Sequence, residues 1–396
     1  MKLNFLKENP ILNILDLPPT YDIDKYGRPI VRMRDLSEND QSIRNEYHAA
    51  LEEVLNHGML IKGPEVKETE NLLKELTGKE YNVLVSCASS GLLLSLQAIG
   101  IEEGDEVITT PLSWLMTSSV IKQLGAKPVF VDVCSDYNIN IDLIEDNITS
   151  KTKAILPVHY YGKVLDSPRI KSICDKHNLY LIEDVAQAAG GKINGSMAGE
   201  KADISVYSFG PMKNLHALGD LGCVSTDESE IANNIKYLSE CGVKNNEICI
   251  HPNLKHYPDA IQASFLRVIL KRWNHLINKR INFANQYSKN LSNIQEIKLP
   301  TYLNLGSHTF FDYTINTPSK SFRDKLIQYL FENKIEAKVR HPLSICEQPF
   351  INTDKNCKCT KARELVQTSL CLPMHYNLTS HDIIKVSNII KKFIDI

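Results

Sequence analysis

Seven short segments rich in Val, Ile and Leu recur between residues 83 and 226, and they constrain the fold more than any other feature of the chain. They are residues 83–87, 106–110, 128–133, 154–160, 179–188, 204–209 and 222–226. Continuous apolar runs of this length are typical of strands that are buried on both faces, and stretches with helical periodicity or Gly/Pro punctuation separate them. We therefore predict an α/β domain in which helices flank a mostly parallel seven-stranded sheet.

The regions on either side of these segments suggest three parts. Residues 1–40 have short apolar clusters and scattered charges and are expected to form an irregular N-terminal arm. Residues 41–265 would form the large domain, which opens with two amphipathic helices, and residues 266–396 a smaller C-terminal α/β domain. In the latter, the stretch FLRVILKRWNHLINKRINFANQYSKNL predicts one extended helix, FFDYTI and AKVRH predict strands, and DIIKVSNIIKKFI predicts a final helix.

Composition excludes several classes of protein. The chain has 45 Lys and Arg against 47 Asp and Glu, a net charge of −2, and 43% hydrophobic residues. These values exclude a disordered chain and a strongly basic nucleic-acid binder. No apolar run reaches the length of a membrane span, and no signal peptide opens the chain. The ten cysteines are expected to be reduced thiols of a cytoplasmic protein, because the C-x-C pair Cys357 and Cys359 lacks the second pair of a zinc site.

Polar residues follow several of the predicted strands, at the edge where open parallel sheets bind ligands. These residues are Ser89 and Ser90 after the first strand, Trp114 after the second, Asp184 and Gln187 after the fifth, and Ser208 and Lys213 after the sixth. Each alone has an ordinary interpretation, such as a helix cap, a core ring or a solvated charge. Their joint occurrence along one sheet edge indicates a ligand site.

One cofactor would use all of these groups. Hydroxyls at a helix N-terminus suit a phosphate, and a buried carboxylate suits a protonated ring nitrogen. An aromatic side chain can cover a flat ring, and a partly desolvated lysine can condense with an aldehyde. Together these features describe pyridoxal 5′-phosphate. No dinucleotide-binding glycine motif or P-loop is present, and no histidine spacing indicates a metal site.

Several longer motifs resemble the DegT/DnrJ/EryC1/StrS family of sugar aminotransferases. They are GDEVITTPLSWLMTSSVIKQLGAKPVFVDV, TKAILPVHYYG, LIEDVAQAAGG, ADISVYSFGPMKNLHALGDLGCV and the ending SLCLPMHYNLTSHDIIKVSNII. The resemblance extends from about Ile30 to the C-terminus. It implies the aspartate aminotransferase fold (fold type I), pyridoxal phosphate as cofactor, and a homodimer with its active sites at the interface.

The resemblance also implies roles for single residues. Lys213 would bind the cofactor aldehyde and then carry the proton, and a lysine here favours transamination over the dehydratases of the family, which carry histidine. Asp184 would pair with the ring nitrogen, Gln187 would donate to the ring oxygen, and Trp114 would stack on the ring. The phosphate would be held by Ser89, Ser90 and Ser208. Asn253 would reach the cofactor of the neighbouring subunit, and His159 and His341 are the candidate substrate contacts, although His159 could equally order its loop.

These roles predict an aminotransferase that moves nitrogen from an amino acid such as glutamate to a keto-sugar, most simply a nucleotide-linked one. Two alternatives stay open. The family segment around Asn253 lacks its usual Arg, and Pro342-Leu343-Ser344 lacks a His, so the acceptor could instead be a keto-cyclitol or a ulosonic-acid sugar. The other alternative is a regulatory protein that binds the cofactor without turnover. Neither a nucleic-acid polymer nor a membrane is expected as a partner.

Overall fold

A seven-stranded sheet lies at the centre of the fold. The computed structural model describes residues 27–244, 248–301, 306–351 and 358–395. The strands of the large domain are β1 (Tyr81–Val85), β2 (Glu106–Thr109), β3 (Lys127–Phe130), β4 (Thr152–Leu156), β5 (Tyr180–Asp184), a hairpin of β6 (Lys192–Ile193) and β7 (Ser196–Met197), then β8 (Ile204–Ser208) and β9 (Gly222–Thr226). All but the hairpin belong to the sheet, so each of the seven predicted apolar runs contributes one strand. The predicted α/β fold class is confirmed.

The strand order is β1-β9-β8-β5-β4-β2-β3. The strands from β8 to β3 are parallel to one another, whereas β9 is antiparallel to both of its neighbours. The carboxyl ends of β5 and β8 therefore meet at one edge, and the amino end of β9 meets them there. This edge brings together the polar residues that the sequence places after separate strands.

Helices flank the sheet and build the second part of the chain. They are α1 (Gln41–His57), α2 (Pro64–Thr77), α3 (Ala88–Ala98), α4 (Met116–Gln123), α5 (Ser167–His177), α6 (Ser229–Ser239), α7 (Ala260–Leu270), α8 (Trp273–Leu291), α9 (Lys320–Glu332), α10 (Thr360–Thr368) and α11 (Ser380–Ile394). The helix α1 ends at Gly58, whose φ of +70° is the left-handed conformation that glycine adopts without strain. The sequence predicts the first two helices over residues 46–55 and 65–76, and the structure extends the first by five and two residues and the second by one residue at each end.

Close packing fixes α3 against the sheet. A Cβ atom on Gly91 would lie 2.9 Å from Val206 Cγ1 and 3.1 Å from Val224 Cγ2, so only a glycine lets the helix approach β8 and β9 this closely. Val85, Val206 and Val224 are fully buried beneath it. The position of the N-terminus of α3 is thus set directly by the strands that end at the site.

The extended helix predicted for residues 265–291 is interrupted. Helix α7 ends at Leu270 and α8 begins at Trp273, because Arg272 adopts non-helical angles (φ −131°, ψ 16°). Its guanidinium donates to the carbonyl of Val268 at 2.7 Å and pairs with Glu46 on α1. A side chain that satisfies a helix-terminal carbonyl and an acid on another helix stabilises the break. The periodicity continues across it, so the pattern alone gave no sign of an interruption.

The smaller part of the chain contains an antiparallel pair of β12 (Tyr313–Asn316) and β13 (Ser369–Leu372). A second short antiparallel pair, β10 (Val243–Lys244) and β11 (Ile248–Cys249), precedes it in the chain. The predicted strand AKVRH is reduced to one bridge between Lys338 and Cys371. Helix α7 packs on α1 and α2, whereas α8 packs on α11. The division near residue 265 stays a prediction, which this change of packing partner supports.

The N-terminal arm is described only from Gly27 onward, and the prediction for residues 1–26 lies outside the described residues. From 27 to 40 the chain contains only one bridge, between Val31 and Ile335. Nine of the ten cysteines lie in the described part and none of these forms a disulfide there, while Cys357 lies outside it. Among the described residues, no helix is long and apolar enough to cross a membrane, and no cluster of metal-ligating side chains occurs.

Candidate functional site

Asp184 lies at the carboxyl end of β5 and is a buried acid at this edge of the sheet. Its side chain accepts hydrogen bonds from Thr117 Oγ1 at 3.2 Å and from the backbone N–H of Ala186 at 3.0 Å. Burial raises the pKa of Asp184 above its usual value, although these two donors and the nearby Lys213 oppose the shift. No cation forms an ion pair with it within the described residues, so its carboxylate is available to a cationic ligand group.

Trp114 is positioned by the same hydrogen-bond chain. Ser113 Oγ lies 2.7 Å from Thr117 Oγ1, which fixes the turn before α4 to Asp184. The indole of Trp114 is 58% exposed, and its ring centre lies 6.1 Å from that of His341. An exposed aromatic face next to a buried carboxylate is the arrangement that a flat, charged heterocycle requires.

Lys213 lies in the loop between β8 and β9. The backbone of this loop is closed by hydrogen bonds from Lys213 N–H to Gly210 and from Ala217 N–H to Phe209, at 3.0 Å and 2.8 Å. Burial lowers the pKa of the Lys213 amine to about 8, against the opposing charge of Asp184. A fraction of this amine is therefore unprotonated and nucleophilic near neutral pH. Its Nζ lies 5.0 Å from the ring centre of Phe311.

The N-terminus of α3 forms a cradle for an anion. The backbone N–H groups of Ala88 and Ser89 donate to no described residue, and the half-buried Ser89 hydroxyl is also without a partner there. The Ser208 hydroxyl at the end of β8 likewise has no partner among the described residues. Gly222, the register partner of Ser208, is packed so closely that a Cβ would lie 2.6 Å from Ala88 N. Unsatisfied amides at a helix N-terminus attract a phosphate.

Ser90 points into the protein instead of into this cradle. Its hydroxyl lies 2.9 Å from both Ser86 Oγ and His256 Nδ1, and the residue is 8% exposed. These internal hydrogen bonds engage the hydroxyl. Its contact with a phosphate stays a prediction. His256 was assigned no role by the sequence, since it lies 166 positions from Ser90. Burial lowers its pKa, so that the ring is neutral at neutral pH.

The side-chain amide of Gln187 is held by a hydrogen bond to its oxygen only. Its Oε1 accepts a hydrogen bond of 2.8 Å from the N–H of Tyr161, which adopts a left-handed φ of +56°. The backbone carbonyl of Gln187 accepts from Thr309 Oγ1 at 2.9 Å. The Nε2 donor has no partner among the described residues. It can therefore donate to a ligand oxygen, as the sequence predicts.

The two histidines proposed as substrate contacts occupy different environments. His159 is fully buried, its Nε2 lies 3.1 Å from Glu183, and its Nδ1 accepts from the N–H of Leu165 at 3.0 Å. Both ring nitrogens are thus used within the core, which favours the loop-ordering role, and the substrate contact of His159 stays a prediction. His341 lies between Trp114 and Tyr160, with ring centres 6.1 Å from each. Burial, and then the adjacent Arg340, lowers its pKa to about 4.

Asn253 lies away from the site of its own chain. Its side-chain amide donates to Gln97 Oε1 at 2.9 Å, at the C-terminal end of α3. With a rise of about 1.5 Å per residue, this point is about 12 Å along the helix from Ser89. Its predicted role, at the cofactor of a neighbouring subunit, stays a prediction.

No sequence pattern predicted the cluster of charged residues that lies close to Lys213. Asp312 is 1% exposed and pairs with Arg34 at 2.5 Å and with Arg340 at 2.6 Å. Burial alone would raise the pKa of Asp312, but the two guanidiniums hold it below its usual value. The three residues are far apart in the chain and belong to no strand-end pattern, so nothing in the sequence linked them.

These residues fit pyridoxal phosphate. The free amides and the Ser208 hydroxyl would hold its phosphate, and Asp184, which lacks an ion-pair partner within the described residues, would hold a protonated ring nitrogen. Gln187 has one donor left for the ring oxygen, and Lys213 has an amine of lowered pKa for the aldehyde. The fit rests on unsatisfied donors and acceptors at one sheet edge.

Comparisons with known proteins agree with this geometry. The model of the DegT/DnrJ/EryC1/StrS aminotransferase family matches residues 41–391. A protein of Geobacillus stearothermophilus named pleiotropic regulatory protein is 33% identical, with 87% of this chain and 93% of the relative covered. A UDP-N-acetyl-3-dehydro-alpha-D-glucosamine 3-aminotransferase of Acidithiobacillus ferrooxidans is 31% identical, with 91% of this chain and 97% of the relative covered.

Solved structures show the same fold. DesV of S. venezuelae aligns with a TM-score of 0.88 and 27% identity, covering 92% of this chain and 98% of DesV. NtdA of Bacillus subtilis, solved with the cofactor PMP bound, aligns with a TM-score of 0.82 and 26% identity, covering 97% and 92%. These matches confirm the predicted fold type, aminotransferase class and pyridoxal-phosphate cofactor.

Proposed function

The chain belongs to the DegT/DnrJ/EryC1/StrS aminotransferase family, and on this premise we propose that it transfers an amino group from an amino acid such as glutamate to a nucleotide-linked keto-sugar. The single observation that carries the proposal is that a buried Asp184 without an ion-pair partner among the described residues and a buried Lys213 of lowered pKa lie at one sheet edge. Relatives named for 3-oxo sugars linked to UDP support the acceptor class.

The reaction is divided between the cofactor and the protein. When bound, pyridoxal phosphate supplies an aldehyde for the incoming amine and a ring that withdraws electrons. Asp184 keeps a proton on the ring nitrogen, because an ionised buried carboxylate is stabilised by a cation beside it. Thr117 and the N–H of Ala186 orient that carboxylate through their hydrogen bonds.

Lys213 would hold the cofactor aldehyde, and the same residue would move a proton when it is not bound to the cofactor. Burial lowers the pKa of its Nζ amine to about 8, which suits a general acid and base near neutral pH. The short closed loop keeps this amine at the sheet edge while the substrates change. Trp114 would cover the ring, and the amides of Ala88 and Ser89, which have no partner among the described residues, would anchor the phosphate.

We also propose a homodimer in which each site is completed by the neighbouring subunit. Asn253 lies on the opposite end of α3 from the phosphate cradle of its own chain, so it would serve the partner. The exposed Leu254 and the exposed Ile248 and Ile250 lie nearby and would be covered in such a dimer. A cytoplasmic location is proposed from the free state of the nine described cysteines.

The proposal is tested by following the yellow colour of the purified protein. Glutamate is expected to bleach it, and protein loaded with pyridoxamine phosphate is expected to regain it when a nucleotide-linked keto-sugar is added. The Lys213→Ala variant should lose both changes, whereas Lys151→Ala, which removes an exposed lysine, should retain them. Protein that takes up no cofactor would contradict the proposal.

A second candidate function is regulation without turnover. It is favoured by the 33% identical relative named pleiotropic regulatory protein and by a 30% identical one named erythromycin biosynthesis sensory transduction protein EryC1. A regulatory protein needs to bind the cofactor but has no use for a proton-carrying lysine. Yellow protein that no amino donor bleaches would favour this candidate over the aminotransferase.

A further inference from the structure

Three cations surround one aromatic ring beside the site. Lys213 Nζ, Arg34 Cζ and Arg340 Cζ each lie 5.0 Å from the ring centre of Phe311. Lys213 and Arg340 are therefore at most 10 Å from each other, since both distances are measured to the same point. The next residue after Arg340, His341, lies against Trp114. The segment 340–341 thus borders the site between the reactive lysine and the aromatic cover.

The two arginines are not equivalent. Arg34 donates to the carbonyls of Met374 and Phe311 and to Asp312, and its Nε is buried, so its guanidinium is committed to the protein. Arg340 uses only one edge of its guanidinium, donating from Nε and Nη2 to Asp312 at 2.8 Å and 2.6 Å. Its Nη1 donates to no described residue. Arg340 therefore has a hydrogen-bonding edge left for a ligand.

The charge balance favours an anion. Asp312 offsets one of the two guanidiniums, so this cluster retains a net positive charge next to the Lys213 amine. Burial is the main cause of the lowered pKa of that amine; Asp184 and Asp312 favour its protonation, whereas Arg340 and Arg34 oppose it. A guanidinium held rigidly by one carboxylate is well suited to bind a second planar carboxylate through its other edge.

We propose that Arg340 binds a substrate carboxylate beside Lys213, with Asp312 and Arg34 as positioning residues. This inference rests on the proposed aminotransferase function and specifies its substrates. Two sources share this chemistry: the α-carboxylate of the amino donor, and the carboxylate of an acidic keto-sugar such as a keto-uronate or ulosonate. The two sources react in different halves of the transfer, so they can be separated.

The test compares the two half-reactions in Arg340→Gln. The donor half is followed by bleaching with glutamate, and with 4-aminobutyrate, which lacks the α-carboxylate. The acceptor half is followed by return of colour in pyridoxamine-phosphate-loaded protein, with a nucleotide-linked keto-uronate and with the matching neutral keto-sugar. Loss of one charge-assisted contact is expected to slow the affected half about 10- to 100-fold. Lys338→Gln, which removes an exposed positive charge two positions away, is the matched control.

The results assign the source. Slower bleaching by glutamate alone identifies the donor carboxylate, and slower reaction of the keto-uronate alone identifies the acceptor carboxylate. If the variant treats charged and neutral compounds as the wild type does, the inference is wrong while the proposed function stands. If the wild type itself transfers no amino group, the proposed function fails instead.

A second variant tests whether the effect of Arg340→Gln comes from a folding defect. Arg340→Lys retains the charge beside Asp312 but not the two-edged geometry. It is expected to keep the cofactor colour and to lose most of the preference for the carboxylate-bearing compound. Full preference in Arg340→Lys together with full preference in Arg340→Gln would overturn the proposal.

Discussion

Ser208 lies opposite Gly222 in the antiparallel pair of β8 and β9, and Gly222 is in van der Waals contact with the peptide that begins α3. A Cβ on Gly222 would lie 2.5 Å from the carbonyl carbon of Cys87, closer than real contacts allow. The substitution Gly222→Ala must therefore displace the N-terminus of α3 from Ser208. The two halves of the anion cradle are thereby separated.

For Gly222→Ala we expect weaker binding of pyridoxal phosphate, by about tenfold or more, since one charge-assisted contact contributes roughly 1.5–3 kcal/mol. Titration of the cofactor-free protein with pyridoxal phosphate measures this. Gly219→Ala is the control, because its Cβ would meet only the end of the Gln262 side chain. Equal affinities in the two variants would contradict the cradle.

Lys213 is expected to destabilise the cofactor-free protein. Its folded pKa of about 8 lies below the ordinary 10.5, so the unfolded chain binds this proton more strongly. The resulting decrease in the free energy of unfolding is fully present below about pH 8 and disappears as the pH rises through 10.5. Lys213→Met should therefore raise the free energy of unfolding by about 1–3 kcal/mol at pH 7.

The measurement is urea denaturation of cofactor-free protein at pH 7 and pH 10. The gain from Lys213→Met should shrink at the higher pH, because the folded-state lysine is then unprotonated and the unfolded-state lysine has begun to lose its proton. Lys151→Met, at an exposed position, should change little at either pH. A gain that is independent of pH would argue against the buried charge as its cause.

Asp312 is expected to be the acid on which the local fold depends most. Asp312→Asn would leave two guanidiniums near each other without a counter-charge, and loss of one partner of a buried ion pair costs about 3–5 kcal/mol. Glu80→Gln removes one partner of an exposed pair with Lys74 and should cost less than about 1 kcal/mol. Thermal or urea unfolding distinguishes the two.

The ion pairs of Asp312 with Arg34 and Arg340 also predict that the stability of the fold depends on pH. Because the folded pKa of Asp312 lies below its ordinary value of 3.8, its contribution is complete above that pH. The contribution is lost as the pH falls through the folded pKa. Acid unfolding of Asp312→Asn should accordingly be less steep than that of the wild type, and an unchanged steepness would contradict this origin.

Mixing of subunits tests the proposed role of Asn253. Lys213→Ala and Asn253→Ala chains should each have low activity, while a hybrid dimer would contain one site with both residues intact. Random mixing should then restore up to about a quarter of wild-type activity. Activity after co-refolding measures this, and mixing with a second Lys213→Ala preparation is the control. No recovery from a confirmed hybrid would place Asn253 outside the shared site.

The sheet and the positions of the candidate cofactor residues at its edge could be predicted from sequence because both depend on short-range patterns. Each strand is a continuous apolar run, and Asp184, Ser208 and Lys213 follow their strands within a few residues. The break at Arg272 could not be predicted, because it depends on a contact with Glu46 on another helix. Similarly, no local pattern distinguishes His159, which is in the core, from a histidine that faces the site.

The cluster of Arg34, Asp312 and Arg340 could not be predicted from the sequence either. Arg34, Asp312 and Arg340 come from the arm, from the start of a strand and from an irregular segment, and only the folded chain brings them to Phe311. Ser90 and His256 likewise meet across most of the large domain. Long-range pairs of this kind leave no periodicity in the sequence, and one of them holds the arginine that we propose to bind a substrate carboxylate.

The antiparallel direction of β9 makes Ser208 and Gly222, the two ends of the loop that carries Lys213, neighbours in the sheet. A hydrogen bond of 2.8 Å from the N–H of Phe209 to the carbonyl of Leu221 continues the strand pairing into this loop. The entropy of confining the loop is thus lost once, during folding, and not again in each catalytic cycle. Lys213 is tethered at both ends, so that releasing the cofactor does not release the lysine from the place where its proton is needed.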